Sequence, residues 1–312
     1  MNIRPIAESD DFEWIVQLQN ETAKRFNPDP TFLGIRGTAE ELKEELCSSN
    51  AASKGFAIEV DGSIAAFMAV SLSPRTKNGY INCGFVEGYG HLVQEMVDKC
   101  SVIVRENGGQ KMFKFAFNKF GQVRNSEISF WEQVGFISEE YSKVTLILNL
   151  EDWKEPQEFN NAHIVPATEF AIEDMIQMLI DDGEDQVADL ISQQYLPQKN
   201  PDQVVLTLLD ELTNEIVGLA LYRVFVHNQG SEDEFLDAIG FGLYFRPKFE
   251  ISKAEKRRLL HASLLSMKQL DIVHAVSNIS LKDFDTFAHF VREGFDGMGA
   301  EKNSTIHLYK TV

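Results

Sequence analysis

Two stretches of the chain carry residue types able to hold an anion. Gly88-Tyr89-Gly90-His91 stands before an apolar helical pattern of Leu92, Val93, Met96, Val97, Cys100 and Val104. Two glycines at a helix start let backbone N–H groups come close to a phosphate, and the helix dipole adds about half a positive charge there. The plainer reading of the same glycines is a turn. Lys253, Lys256, Arg257 and Arg258 cluster at the start of another helical pattern, in a chain of formal net charge −19. Such a group suits an anion, unless Glu255 and its neighbours pair with it along a solvated helix face. Other chemistries have less to work with. The seven histidines show no His-x-x-x-His or His–Cys spacing for zinc. His289 lies on a helix otherwise apolar around Phe287 and Phe290, where packing is the ordinary role. There is no Gly-x-Ser-x-Gly and no Walker loop. The acidic run from Asp181 to Asp185 lacks the twelve-residue calcium pattern and reads as a solvated turn.

The elements that must position the glycines follow from periodicity. Tyr80–Val86 reads as the strand before them, and the helix after them runs to about Glu106, where Gly108-Gly109 ends it. Phe113, Phe115 and Phe117 alternate with Lys114 and Ala116, the period of a strand with one buried face, ending at Asn118. Ile128, Trp131 and Val134 recur at helical spacing, and Gly135 is placed to cap that helix in a left-handed conformation. Upstream, Asn2–Ile6 is a short strand, and Asp10 and Asp11 stand ready to cap a helix reaching Phe26, stopped by Pro28 and Pro30. Thr38-Ala-Glu-Glu41 is a capping box. Phe56–Val60 and Ile64–Leu72 form a hairpin across Asp61-Gly62, and Val144–Leu150 alternates as a further strand.

After a polar stretch containing Pro156 the pattern starts again. Ile164-Val-Pro166 echoes Ile3-Arg-Pro5, and helices over Ala171–Leu179 and Gln186–Tyr195 follow. Strands at Val204–Leu209, Ile216–Val226 and Ala238–Phe245 lead to a helix at Ala254–Leu270. Ile272–Val276, a helix Phe284–Glu293 ending in Gly294-Phe295, and Thr305–Val312 complete the second round. Gly135 and Gly294 are 159 positions apart, and Ile3 and Ile164 are 161 apart. Such agreement indicates an internal duplication.

At Phe130-Trp131-Glu132-Gln133-Val134-Gly135-Phe136 the chain resembles the GNAT superfamily of N-acetyltransferases, whose late helix ends in Phe-Tyr-x-x-x-Gly-Phe. The element order agrees in both halves. The resemblance implies an α/β class with a mixed α+β sheet, as two tandem GNAT-like acyl-CoA N-acyltransferase domains. These are expected at 1–150 and 163–312, joined by a linker at 151–162. It also implies acetyl-CoA as co-substrate, its pyrophosphate held by a Gly-x-Gly loop at the start of the central helix. Gly88, Tyr89, Gly90 and His91 match that loop, without the family's Arg or Gln three residues before. The pantetheine arm is expected between Tyr80–Val86 and Phe113–Phe117, beside Phe117 and Asn118. In the second half Arg257-x-x-Leu260-x-Ala262 keeps the Arg and Ala but has Leu at the first glycine, so Lys256, Arg257 and Arg258 form the second candidate. The family's carboxylate base maps to Glu87 in one half and Asp237 in the other. Its acidic Tyr is replaced by Trp131 and Phe290, which have no O–H proton to give.

Composition bounds the partners. The 312 residues suit two domains, with 44% hydrophobic content supporting ordered cores. No apolar run is long enough to span a bilayer and the start has no signal region, so a cytoplasmic protein without a membrane partner is expected. Cys47, Cys83 and Cys100 then read as free thiols. The −19 charge argues against nucleic acid and favours a small cationic amine or a basic peptide as acceptor. Family members commonly dimerise, so a homodimer is compatible. Two other readings are a catalytically weak GNAT-fold protein binding acyl-CoA or a protein partner, and an aminoacyl-tRNA-dependent transferase, which the charge disfavours.

Overall fold

The computed structural model describes residues 3–27, 38–48, 53–119, 125–139, 143–158, 160–167, 172–184, 187–189, 191, 202–297 and 303–312. Its first round of elements is β1 (Ile3–Pro5), α1 (Phe12–Phe26), α2 (Ala39–Cys47), β2 (Ser53–Val60), β3 (Ser63–Leu72), β4 (Gly79–Phe85), α3 (Val93–Glu106), β5 (Lys111–Lys119), α4 (Ser126–Gln133), β6 (Ile137–Ser138) and β7 (Lys143–Asn149). The second is β8 (Ile164–Pro166), α5 (Ile172–Asp181), β9 (Gln203–Leu209), β10 (Ile216–His227), β11 (Phe235–Phe245), α6 (Lys253–Gln269), β12 (Ile272–Ser280), α7 (Phe284–Arg292), β13 (Asp296–Gly297) and β14 (Asn303–Thr311). Of the helix expected at Gln186–Tyr195, 187–189 and 191 are helical and the rest lies outside the described residues, as do Pro28 and Pro30.

Local signals act where the chemistry places them. Asp11 caps α1 through Trp14 N–H, and Thr38 with Glu41 forms the capping box of α2. Asp61 and Gly62 both take positive φ in the β2–β3 turn. The helix ends repeat: Phe136 N–H donates to Trp131 O at 3.0 Å, and Phe295 N–H to Phe290 O at 3.1 Å. In both places the intervening glycine sits at positive φ, which is the glycine stop of a helix end closed by a 6→1 bond.

The chain divides into two units, Met1–Glu140 with Thr305–Val312, and Tyr141–Ser304. In the first unit the strand order is β1-β2-β3-β4-β5-β14, with β4 and β5 parallel. In the second it is β8-β9-β10-β11-β12-β7, with β11 and β12 parallel. This differs from the expected division at 1–150 and 163–312. Val144–Leu150 belongs to the second unit, where β7 lies antiparallel to β12 from Lys143↔Ser280 to Asn149↔His274. The first unit instead takes its last strand from the end of the chain. Both strands are alternating segments at the end of a repeat, and alternation alone does not say which sheet edge a strand joins.

The segment 151–162, expected as a linker, lies inside the second unit. Trp153 is buried there, its Nε1–H donating to Glu293 Oε2 at 2.9 Å, and Lys268 Nζ donates to the Trp153 carbonyl at 3.1 Å. Glu293 Oε1 also faces His261 Nε2 at 2.8 Å and Arg257 at 3.3 Å. Burial pushes the Glu293 carboxyl up, but hydrogen bonds from His261 and Trp153 and the charges of His261 and Arg257 outweigh it and hold it at about 2. A depressed folded pKa adds stability above the ordinary value near 4.5, lost as pH falls through about 2. Wild type should therefore lose more stability than Glu293→Gln between pH 5 and pH 2.5, read by urea unfolding. Equal losses would show that Glu293 titrates normally.

Helices cover both faces of the first sheet, so Ile64–Val70 of β3 is buried without a break. Ile15, Leu18, Ala57 and Phe67 form the core on the side of α1, while Met68, Val70, Met96, Val97 and Trp131 pack on the side of α3 and α4. In β5 the buried face is Met112, Lys114 and Ala116. Phe113 and Phe115 are half-buried, stacked on Tyr80 at 5.4 and 6.0 Å, and Phe117 is exposed. The expected alternation is present, but its fully buried side is the opposite one.

Candidate functional site

The glycine loop and the strand gap meet in the first unit. β4 and β5 pair only at Gly79↔Met112 and Tyr80↔Phe113. Beyond Phe85, Tyr89 N–H donates to Val86 O at 3.0 Å, closing a turn in which Gly88 takes φ +87°. A Cβ on Gly88 would meet nothing within 4 Å, so backbone conformation and not packing requires this glycine. Gly90–Leu92 is one 3₁₀ turn leading into α3, and neither has a side-chain cap. His91 Nδ1 lies 3.2 Å from Gly88 O, and its ring stacks on Tyr89. Glu87 is exposed beside Gly88. The structure thus brings Glu87, Gly88, Tyr89, Gly90 and His91 together at one helix start. Phe117 is on the facing strand, while the side chain of Asn118 lies outside the described residues.

Polar groups of the same unit already occupy the gap. Val86 N–H donates to Ala65 O on β3 at 2.8 Å, so the preceding Phe85 turns its own N–H and C=O away from β3. Thr22 Oγ1 of α1 accepts from Phe85 N–H at 2.9 Å and donates to Phe85 O at 3.1 Å, and Arg25 also donates to that carbonyl. Across the gap Phe117 N–H donates to Glu127 Oε2 at 3.2 Å, and Asn125 Nδ2 donates to Phe117 O at 2.6 Å. The buried Glu127 carboxylate also takes Asn27 Nδ2 at 3.3 Å and lies 3.7 Å from Lys114 Nζ. Sequence reasoning missed Lys114 and Glu127, since a Lys between two Phe in a strand looks solvated.

The second unit departs further. Its parallel strands stay paired to Phe241↔Ser277, where Ser277 Oγ donates to Phe241 O at 2.6 Å. The start of α6 carries a complete capping box, with Ser252 accepting from Glu255 N–H and the Glu255 carboxylate from Ser252 N–H. That occupies donors a phosphate would use and sets an anion in its place. The basic cluster is paired residue by residue: Lys253 with Asp285 at 2.9 Å, Lys256 with Asp283 at 2.7 Å, Arg257 with Glu293 at 3.3 Å and Arg258 with Glu211 at 3.8 Å. Lys256, Arg257 and Arg258 thus each face a carboxylate.

Asp237 keeps the strand position expected of it. It lies near the start of β11, eight residues before the strand ends at Phe245, roughly 25 Å from the α6 loop at the usual rise per residue. Its two oxygens face His227 Nε2 at 2.8 Å and His274 Nδ1 at 2.9 Å, so it ties three strands together. Among the described residues of this unit, the carboxyl shifted toward neutrality is Asp182, after α5. Burial pushes it up to about 6 against the pull of Lys282, with Glu184 and Asp283 adding to the rise. Its one sequence signal was the acidic run read as a solvated turn.

His289 of α7 is buried, and neither ring nitrogen has a hydrogen-bond partner among the described residues. Burial lowers its pKa, and Arg292, Arg257 and Lys256 add to the lowering. Removing buried unpaired nitrogens relieves a desolvation cost, so His289→Leu should stabilise the second unit by about 1–2 kcal/mol in urea unfolding at pH 7. Destabilisation would instead reveal a buried partner. Cys47, Cys83 and Cys100 are free thiols, and burial pushes Cys83 and Cys100 up to about 12. Among the described residues no group of three His, Cys, Asp or Glu side chains is placed to hold a metal, and no helix is long and apolar enough to cross a membrane.

No family model matches the chain, and no curated protein matches it. Solved structures do match. A tandem GNAT protein from the clavulanic acid biosynthesis pathway, solved without AcCoA, aligns over 99% of this chain and 98% of its own, at 9% identity and TM-score 0.56. A GCN5-related N-acetyltransferase from Sphaerobacter thermophilus aligns over 99% and 95%, at 13% identity and TM-score 0.57. N-myristoyltransferase from Saccharomyces cerevisiae, with bound myristoyl-CoA, aligns over 99% and 79%, at 10% identity and TM-score 0.52. At these identities the likeness is one of fold, and it extends over nearly the whole chain. With matching strand orders in the two units, and β4–β5 and β11–β12 as corresponding parallel pairs, the chain has a tandem GNAT fold.

Proposed function

We propose that the protein is an acyl-CoA-dependent N-acyltransferase whose first unit binds acetyl-CoA and transfers its acyl group to a cationic amine. The observation that carries this reading is the uncapped, glycine-bearing start of α3 beside a parallel strand pair that separates after two residues. Backbone N–H groups and the helix dipole there suit a pyrophosphate. Glu87, exposed at the same turn, is the candidate base for the incoming ammonium. The net charge of −19 favours encounter with a cationic acceptor, whether a small amine or a basic peptide.

A second reading is a GNAT-fold protein that binds acyl-CoA with little turnover. It is favoured by the Phe85 and Phe117 N–H groups, which already have acceptors and so are not poised for a developing oxyanion. Release of CoA thiol from acetyl-CoA, with a polyamine, a basic peptide and a neutral amine as acceptors, separates the two. The first reading expects release with the cationic acceptors that falls sharply in Gly88→Val. Binding without release supports the second, and absence of acetyl-CoA binding contradicts both.

A further inference from the structure

The last turn of α1 reaches both strands that flank the gap. Thr22 and Arg25 engage Phe85 on the β4 side, while Asn27 reaches Glu127, which holds Phe117 on the β5 side. Phe26 joins Phe85 and Phe130 in a ring cluster with centroids 5.3–6.1 Å apart. Ser126 Oγ of α4 donates to Phe26 O at 3.4 Å. Three consecutive residues, Arg25 to Asn27, with Thr22 one turn earlier, thus span the two strands that the fold separates. Gly84 permits the close approach: a Cβ there would lie 2.6 Å from Gln19 N of α1.

Resting on the acyl-CoA reading above, we propose that the α1 terminus, Thr22 to Asn27, is an intrachain plug that closes the first unit's acyl groove and must withdraw before acyl-CoA is seated. The plug mimics what a bound acyl arm would offer. Thr22 Oγ1 supplies an acceptor to the Phe85 N–H, and Thr22 and Arg25 supply donors to its carbonyl. With these groups satisfied, the closed form leaves no buried backbone group unpaired at Phe85, so it is the resting state. An acyl-CoA molecule then binds only the open fraction, and its apparent affinity is reduced by that fraction.

Thr22→Val with Arg25→Met keeps shape and apolar contact but leaves the Phe85 N–H and C=O unpaired when the plug is closed, while the open form loses nothing. Calorimetric titration with acetyl-CoA should show binding at least tenfold tighter in this double variant than in wild type. Equal affinities would overturn the plug and leave the acyl-CoA reading standing. Failure of both proteins to bind, with amide exchange showing residues 23–27 released in the variant, would overturn both, since a vacated groove should accept the ligand. Wild type supplies a measurement without substitution should the variant misfold. Amides of Ala23–Asn27 should exchange faster at saturating acetyl-CoA, and unchanged or slower exchange there contradicts withdrawal.

Discussion

Lys114→Met alone should destabilise the first unit by about 3–5 kcal/mol, because it leaves the Glu127 carboxylate buried without its counter-charge. Lys114 and Glu127 are each more than nine-tenths buried, 3.7 Å apart, with the ammonium 5.8 Å from the centre of the Trp131 ring. Desolvating both ions costs nearly what their attraction returns, so the pair as a whole adds little to stability. Lys114→Met with Glu127→Leu should therefore recover most of the loss, though Phe117 N–H and Asn27 lose an acceptor in the double variant. Denaturant unfolding of the two singles and the double gives the coupling directly. Additive losses would mean that the two charges do not interact.

Trp131→Ala should cost about 3–5 kcal/mol, the range for emptying a fully buried aromatic site. The side chain is fully buried, packed edge-on against Phe130 and Phe136 at 5.4 and 5.3 Å. Its Nε1–H has no partner among the described residues. Trp131→Phe removes that unpaired donor while keeping most of the packing, so its cost should be far smaller, under about 1.5 kcal/mol. A cost for Phe as large as for Ala would show that the indole N–H makes a buried bond. Trp131 is thus part of the core of the first unit.

Elements fixed by local chemistry were legible in the sequence. The capping box at Thr38, the Asp61-Gly62 turn and the two glycine stops each depend on residues within five positions of one another. The duplication was legible because those stops recur at one spacing. What the sequence did not show depends on partners far along the chain. Whether Arg257 is free for an anion is decided by Glu293, and whether Lys256 is free by Asp283. The exchange of β7 and β14 between the units leaves no local trace, since both segments alternate in the same way. The inward Lys114 was hidden because a sheet covered on both sides buries parts of both alternating sets, and Phe113 and Phe115 offered the more apolar one. The plug at Phe85 rests on Thr22 and Arg25, 63 and 60 residues away, on a helix whose outer face carries ordinary polar residues.

The glycine loop of the first unit is proposed to hold the pyrophosphate of acyl-CoA. Calorimetric titration of acetyl-CoA into wild type, into Gly88→Val with Gly90→Val, and into Lys256→Ala with Arg257→Ala and Arg258→Ala tests it most directly. Valine at position 88 would be strained at φ +87° and would turn a branched side chain into the open space from which a phosphate approaches. Binding should be lost in the glycine variant, with the second unit still folded, and kept in the basic-cluster variant. Binding that survives the glycine changes but disappears with the three basic residues would contradict it and assign the site to the second unit.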